Sequence, residues 1–271
     1  MSAVVPDPWA RLAALTPARI ALGRVGASLP TGEALRFALA HARARDAVHV
    51  PLDVEQVATA IRAEGFQTLS VASAAPSRPA YLVRPDLGRR LSDDGRAALR
   101  AWASSRPEPP PAGEPRCDLA IVVADGLSSA ATQAHAAPLL ACLRPLIARE
   151  GWTTAPVVVA TQARVALGDA IGEAMGARAV AVLIGERPGL SAPDSLGVYL
   201  TFAPRVGRSD GERNCISNIH GAGLPLTTAA TRLVWLLREA FVRRLTGVAL
   251  KDESDLALVG AENAPTLSRP P

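Results

Sequence analysis

Two hydrophobic patterns divide this chain at a dense run of prolines. Before the run, apolar residues recur at helical spacing. Leu35, Ala38, Leu39 and Ala42 form one such set behind Thr31, a candidate cap, with Glu33 placed in the first turn where a carboxylate favours the helix dipole. Val54, Val57, Ala58 and Ile61 form the next. Thr16-Pro17 sets a capping residue before a proline suited to a first helical turn, and predicts a helix there too. A short strand is expected at Thr68–Ala72 and a polar, turn-rich stretch at Arg84–Arg90, followed by a helix capped by Ser92 that carries Leu99 and Trp102. Residues 1–104 therefore read as a smaller, mostly helical N-terminal domain.

Ser105–Pro115 holds too many prolines for a helix or sheet interior, so 105–116 is expected to be an extended linker. Beyond it, continuous apolar runs alternate with helical patterns. Cys117–Ala124, Pro156–Ala160, Ala179–Ile184 and Gly197–Phe202 read as buried strands. Helices are expected at Ser128–Arg149, around Gly168–Met175, and at Thr227–Leu245, the last with Ala230, Leu233, Val234, Leu237 and Phe241 on one face. Strands that are apolar throughout and alternate with helices predict an α/β domain over 117–260, with a doubly wound, mainly parallel sheet. Residues 261–271 are expected to be a disordered tail.

Composition narrows the function classes. The 271 residues are 49% hydrophobic and 20% charged, enough for one large or two smaller domains. Aromatics make up only 4%, so the core must be stitched largely from alanine and aliphatic residues. The net charge is +4, and Lys251 is the single lysine. The arginines are interleaved with acids, as in Arg43-Ala-Arg45-Asp46, and lack an aromatic–basic cluster, so no nucleic-acid partner is expected. Cys117, Cys142 and Cys215 lie far apart without a Cys-x-x-Cys, which fits a reducing cytosol better than a disulfide framework or a zinc site. No run approaches the ~20 apolar residues of a membrane span, and the first residues lack the basic start of a signal peptide.

The usual catalytic signatures are missing. No Gly-x-Gly-x-x-Gly follows a strand; the nearest string, Gly221-Ala-Gly223, lacks the third glycine, so a nicotinamide site is unsupported. There is no phosphate-binding loop and no Gly-x-Ser-x-Gly elbow. His41, His49, His135 and His220 show no metal-ligand spacing. What remains are polar turns after strands: Asp125-Gly-Leu127, Gln162-Ala-Arg-Val165 and Gly185-Glu186-Arg187. Right-handed crossovers would bring these turns to one edge of the sheet, where open α/β sheets hold ligands. Asp125 and Asp169 also read as helix caps, and Glu186–Arg187 as a surface ion pair, although Pro188-Gly189 would hold that pair in a fixed turn.

Several ordered strings resemble one family, the light chain of ethanolamine ammonia-lyase. They are Gln162-Ala-Arg-Val-Ala-Leu-Gly-Asp169, Leu183-Ile-Gly-Glu-Arg-Pro-Gly-Leu190, Ser195-Leu-Gly-Val-Tyr199 and Arg213-Asn-Cys-Ile-Ser-Asn-Ile219. Upstream, Thr16–Arg24, His41–Ala47 and Arg84–Arg90 extend the likeness over nearly the whole chain. The resemblance implies a Rossmann-like domain that covers part of an adenosylcobalamin shared with a heavy chain. It implies that the heavy chain holds ethanolamine, which is converted to acetaldehyde and ammonia by a radical route, and that 1–104 is the heavy-chain contact. Three cobalamin-binding positions carry over through their motifs: Val165, Glu186 and Cys215. No catalytic residue and no metal ligand is assigned to this chain.

Two further expectations follow. Asn218-Ile-His220-Gly-Ala-Gly223 approaches the Asp-x-His-x-x-Gly of cobalamin proteins whose histidine ligates cobalt, but Asn218 replaces the aspartate that would orient the imidazole. Cobalt ligation by His220 is therefore not expected. Light chains of microcompartment-forming systems often begin with an amphipathic targeting helix. Only Met1 to about Pro8 precedes the first predicted helix, so a free cytoplasmic complex is expected rather than an encapsulated one. The alternative reading is a scaffold subunit without a ligand of its own.

Overall fold

The computed structural model describes residues 4–16, 18–105, 111 and 114–255. Most of the expected linker and the whole expected tail, 261–271, lie outside the described residues. Six strands form one sheet: β1 (Thr68–Ala72), β2 (Cys117–Ala124), β3 (Val157–Thr161), β4 (Ala177–Gly185), β5 (Leu196–Phe202) and β6 (Asn214–Ile219). Their order is β1-β3-β2-β4-β5-β6. The protein is α/β, but the sheet is mixed, which corrects the expected mainly parallel, Rossmann-like sheet. β1, β3, β2 and β4 run parallel, whereas β4–β5 and β5–β6 pair antiparallel. Connection length is the physical reason. A parallel return needs a crossover of about a dozen residues or more, usually a helix. The segment between β4 and β5 contains no helix and simply turns the chain back.

Helices cover the two faces of the sheet unequally. On one face, α2 (Val54–Ala63), α5 (Ser129–Glu150) and α7 (Leu226–Arg243) pack over all of the sheet from β3 to β6. On the other, α4 (Asp93–Ser104) and α6 (Leu167–Ala174) pack on β1, β3, β2 and β4. β2, β3 and β4 therefore bury side chains on both faces: Leu119, Ile121 and Val123 point one way, Ala120, Val122 and Ala124 the other. That is why these strands read as unbroken apolar runs. β6 alternates instead, with Ile216 and Ile219 buried and Cys215, Ser217 and Asn218 exposed.

Local chemistry explains the helix boundaries. Asp53 accepts from the Gln56 amide at 2.9 Å to cap α2. Ser92 caps α4 as expected, accepting from Gly95 at 3.0 Å, and Ser128 caps α5, accepting from Ala131 at 3.2 Å. α5 ends at Gly151 in the left-handed region. The short helix α3 (Arg78–Val83) was not predicted, although Ser77 caps it and a proline stands in its first turn.

The N-terminal region departs most from expectation. Among the described residues no helix lies between Thr16 and Pro30. Thr16 Oγ1 instead accepts from the Ala18 amide at 3.1 Å, and positive φ values at Ala21, Gly23 and Gly26 bend the chain into small bridges, Val5 with Arg24 and Val25 with Ser28. Helix α1 (Thr31–His49) is present, but Thr31 does not cap it; Pro30 holds that position without a side-chain bond. Its apolar residues are not core: Leu35 and Leu39 are 65% and 52% exposed, and only Ala47 is buried.

Candidate functional site

The ends of β2, β3 and β4 open onto one cleft of about 450 Å³, lined by Tyr81, Gly126, Leu127, Arg164, Val165, Ile184, Gly185, Glu186, Arg187 and Tyr199. It lies where α5 leaves β2 on one face of the sheet and α6 leaves β3 on the other, the divergence that opens a crevice in such folds. All three polar turns found in the sequence meet there. Two glycines allow the approach. The Leu127 amide donates to Gly185 O at 3.0 Å, and a side chain at Gly126 would lie 2.2 Å from that oxygen. A side chain at Gly185 would meet Ser128 O at 2.0 Å, so neither position tolerates a Cβ without moving the backbone.

Asp125 builds the Gln162–Val165 wall. Its carboxylate accepts from the amides of Gln162 at 2.8 Å and Ala163 at 2.9 Å, holding Gln162 at φ 55°. That conformation costs a side-chain-bearing residue about 1–2 kcal/mol, which the two charge-assisted bonds offset. Arg78 pairs with Asp125 at 3.2 Å and also donates to Gly126 O and Val48 O, both at 2.8 Å. Burial pushes the Asp125 carboxyl above the usual carboxylate range, against the pull of the two amides and Arg78. Asp125 is thus an anchor for a turn and not the helix cap that the sequence also suggested.

Tyr81 backs this wall. The guanidinium carbons of Arg78 and Arg164 lie 4.8 Å and 4.3 Å from its ring centre, and its hydroxyl donates to Ala163 O at 3.1 Å. Desolvation pushes its phenol up to about 12, with the Arg164 charge opposing. Val165, half-buried, faces the cleft while its carbonyl accepts from the Gly168 amide at 3.0 Å to start α6.

Glu186 forms the opposite rim. Its backbone amide donates to Ser195 O at 2.9 Å, and its carboxylate Oε2 accepts from the Ser195 hydroxyl and from the Asn218 amide at 3.2 Å. Oε1 makes no hydrogen bond among the described residues and lies where a side chain at Gly197 would be, 2.9 Å from its Cβ position. The carboxylate is therefore fixed through one oxygen and has the other to offer. No Glu186–Arg187 ion pair forms among the described residues, and Arg187 is exposed.

Cys215 does not line the cleft. It sits one strand further out, opposite Tyr199 on the uncovered shoulder of β5 and β6, with the thiol against the Tyr199 hydroxyl. Desolvation pushes that thiol up, the Glu186 carboxylate adds to the shift, and the bond to Tyr199 opposes it. The Tyr199 phenol is pushed well above its ordinary value, first by desolvation and then by Cys215. Arg213 fixes this shoulder from below. Buried, it forms a bidentate pair with Asp169 at 2.6 and 2.7 Å and donates to Thr201 Oγ1 at 3.0 Å, tying α6 to β5 and β6. Asp169 is the second expected cap that is an anchor instead.

His220 lies in the turn after β6, its ring Nε2 2.9 Å from Asn218 Oδ1. Sequence reasoning assigned no role to Tyr81, Arg164, Ser195 and Tyr199. Three of these stood inside the quoted strings, and Tyr81 belongs to α3, whose Ser77 cap was the available signal.

The ethanolamine ammonia-lyase light chain (EutC) family matches residues 6–251. The chain belongs to that family. Its relatives include the ethanolamine ammonia-lyase small subunit of Xanthomonas campestris pv. campestris, 55% identical over 258 residues, which cover 95% of this chain and 92% of that protein. The small subunit of Azotobacter vinelandii is 54% identical over 265 residues, covering 97% and 96%. That of Pseudomonas syringae pv. tomato is 49% identical over 263 residues, covering 97% and 89%. The family match takes in every residue that lines the cleft, from Tyr81 to Tyr199, and Cys215 beyond it.

Proposed function

We infer that this chain is the light subunit of an adenosylcobalamin-dependent ethanolamine ammonia-lyase, that it contributes one wall of the cobalamin site, and that a heavy chain holds ethanolamine. Family membership together with the cleft at the ends of β2, β3 and β4 carries the reading. The residues suit the edge of a corrin, which is a rim of neutral amides around an apolar macrocycle. The free Oε1 of Glu186 is a fixed acceptor for an amide N–H. Val165, Leu127 and Ile184 offer apolar surface, and Tyr199 beside Cys215 extends the floor on the shoulder that no helix covers. Adenosylcobalamin, when bound, supplies the radical that initiates the rearrangement and loss of ammonia. This chain's residues bind and orient: Glu186 accepts, Asp125 holds the Gln162–Val165 wall, and the Asp169–Arg213 pair keeps β6 in register.

The heavy-chain contact falls to the N-terminal region. Of the fifteen large hydrophobics exposed among the described residues, eleven lie in 4–50, including Trp9, Leu15, Leu35 and Phe37. Apolar surface so concentrated fits a face that a partner subunit covers. No helix among the described residues is long and apolar enough to cross a membrane, so a bilayer spanned by one of them is not the cover.

Purification of the chain with and without a co-expressed heavy chain tests the reading. The complex is expected to retain cobalamin by its absorption spectrum and to release ammonia from ethanolamine, and the chain alone to do neither. Deamination by the chain alone would overturn the division of labour. A complex that assembles but never takes up cobalamin would favour the scaffold reading.

A further inference from the structure

The charges around the cleft do not balance. Two guanidinium groups, from Arg78 and Arg164, lie against the Tyr81 ring, and one carboxylate, Asp125, accompanies them. Arg78 pairs with that carboxylate; Arg164 has no ion pair among the described residues. Of the Arg164 guanidinium, Nη2 makes a long bond of 3.3 Å to Tyr81 O, Nε is buried without a partner, and Nη1 makes no hydrogen bond among the described residues. The group is nonetheless held in place by the ring beneath it and by Gly88, whose missing side chain leaves room for the Arg164 stem. Arg187, exposed and free of ion pairs among the described residues, lies on the same cleft. Glu186 is the one carboxylate in the lining.

A fixed, under-used guanidinium in a cleft with excess positive charge is suited to an anion, and its planar fork suits a phosphate oxygen pair. Cobalamin's corrin edge is neutral, and its single anionic group is the phosphodiester of the nucleotide loop. We propose that Arg164 binds that phosphodiester, with Tyr81 as its stacking platform, while Glu186 meets the amide edge. The assignment rests on the cobalamin reading above and adds an orientation to it, with the nucleotide loop on the Gln162–Val165 side of the cleft and the amide edge on the Glu186 side.

The test compares two corrinoids on the assembled heavy–light complex, by absorption titration: hydroxocobalamin, which has the phosphodiester, and diaquocobinamide, which lacks the nucleotide loop. Arg164→Met is expected to weaken hydroxocobalamin binding about tenfold to a hundredfold, the scale of a lost charged hydrogen bond, and cobinamide binding less than about twofold. Arg164→Lys, which keeps the stem and the charge but not the fork, is expected to recover part of the loss, and it guards against collapse of the wall in the Met variant. Equal weakening for both corrinoids, or unchanged cobalamin affinity in Arg164→Met, would overturn the assignment while leaving the cobalamin reading intact. Wild-type complex that binds neither corrinoid would instead remove that reading, and this proposal with it.

Discussion

The two halves of the sheet are built for different tasks. β3, β2 and β4 run parallel between two layers of helices, so both of their faces are dry, while β1, also parallel, is the edge strand and leaves Ser70 exposed. β5 and β6 run antiparallel and lean on α5 and α7 through one face only, leaving Tyr199, Cys215 and Ser217 on an open shoulder. The buried carboxylates of the covered half, Asp125 and Asp169, are held by amides and arginines. The open half carries polar groups at little cost because water or a ligand can satisfy them. The cleft runs along the seam: its walls stand at the ends of the parallel strands, and Tyr199 of the antiparallel pair extends its floor.

That contrast can be broken at several points. Leu183→Ala, in β4 and wholly buried, is expected to cost about 4 kcal/mol in denaturant unfolding, whereas Ser217→Ala on the open shoulder should change stability by less than about 0.5 kcal/mol. Similar costs at the two sites would erase the distinction. Asp169→Ala cuts the tie between the halves and leaves Arg213 buried beside Asp210 alone, so a loss of about 3 kcal/mol is expected. Hydrogen exchange in that variant should rise in β5 and β6 before it rises in β2 and β3. A uniform rise would mean that the halves unfold as one unit.

Glu186→Ala should leave stability nearly unchanged and weaken cobalamin binding in the assembled complex by about 1–3 kcal/mol, read by equilibrium titration. Unchanged affinity would remove Glu186 from the site. The smallest effect concerns acid. Glu212, which caps the turn leading into β6, is lowered from 4.5 to about 2 by the Ser209 amide, Arg208 and the Ser209 hydroxyl. A depressed carboxylate stabilises the fold above its unfolded value and stops doing so as pH falls through its folded one. The turn should therefore loosen between about pH 4.5 and pH 2. Exchange protection of residues 209–213 across that window is the measurement, and Glu212→Gln should flatten it.

Much of this molecule was legible from single runs of residues. β2, β3 and β4 lie close to their apolar runs, because a strand dry on both faces has no option but to be apolar throughout, and β5 was legible from its own run, Gly197–Phe202, although only one of its faces is covered by helices. The cap at Ser92 was visible because capping is a local bond between a side chain and an amide three residues on, and the Ser128 cap marks the start expected for the helix it opens. β6 was hidden because a strand with one wet face, Asn214–Ile219, carries no apolar run to betray it. α1 was legible as a helix, but its exposure was not, since periodicity reports which face is apolar and not whether anything covers it.

The sequence by itself determined the α/β class, the alternation of strands and helices, and the polar turns Gln162–Val165 and Gly185–Arg187 that meet at one edge. Only the tertiary structure decided that the sheet turns antiparallel after β4, that Asp125 and Asp169 are anchors and not caps, that Val165 and Glu186 share a cleft with Cys215 set one strand beyond it, and that Arg164 rests on Tyr81. The reason is the range of the forces involved. Burial patterns and caps act over a few residues and leave their mark in the local sequence. The pairing of Asp125 with Gln162, of Arg213 with Asp169, or of a guanidinium with a distant ring depends on where the folded chain brings remote residues, and no local stretch records it.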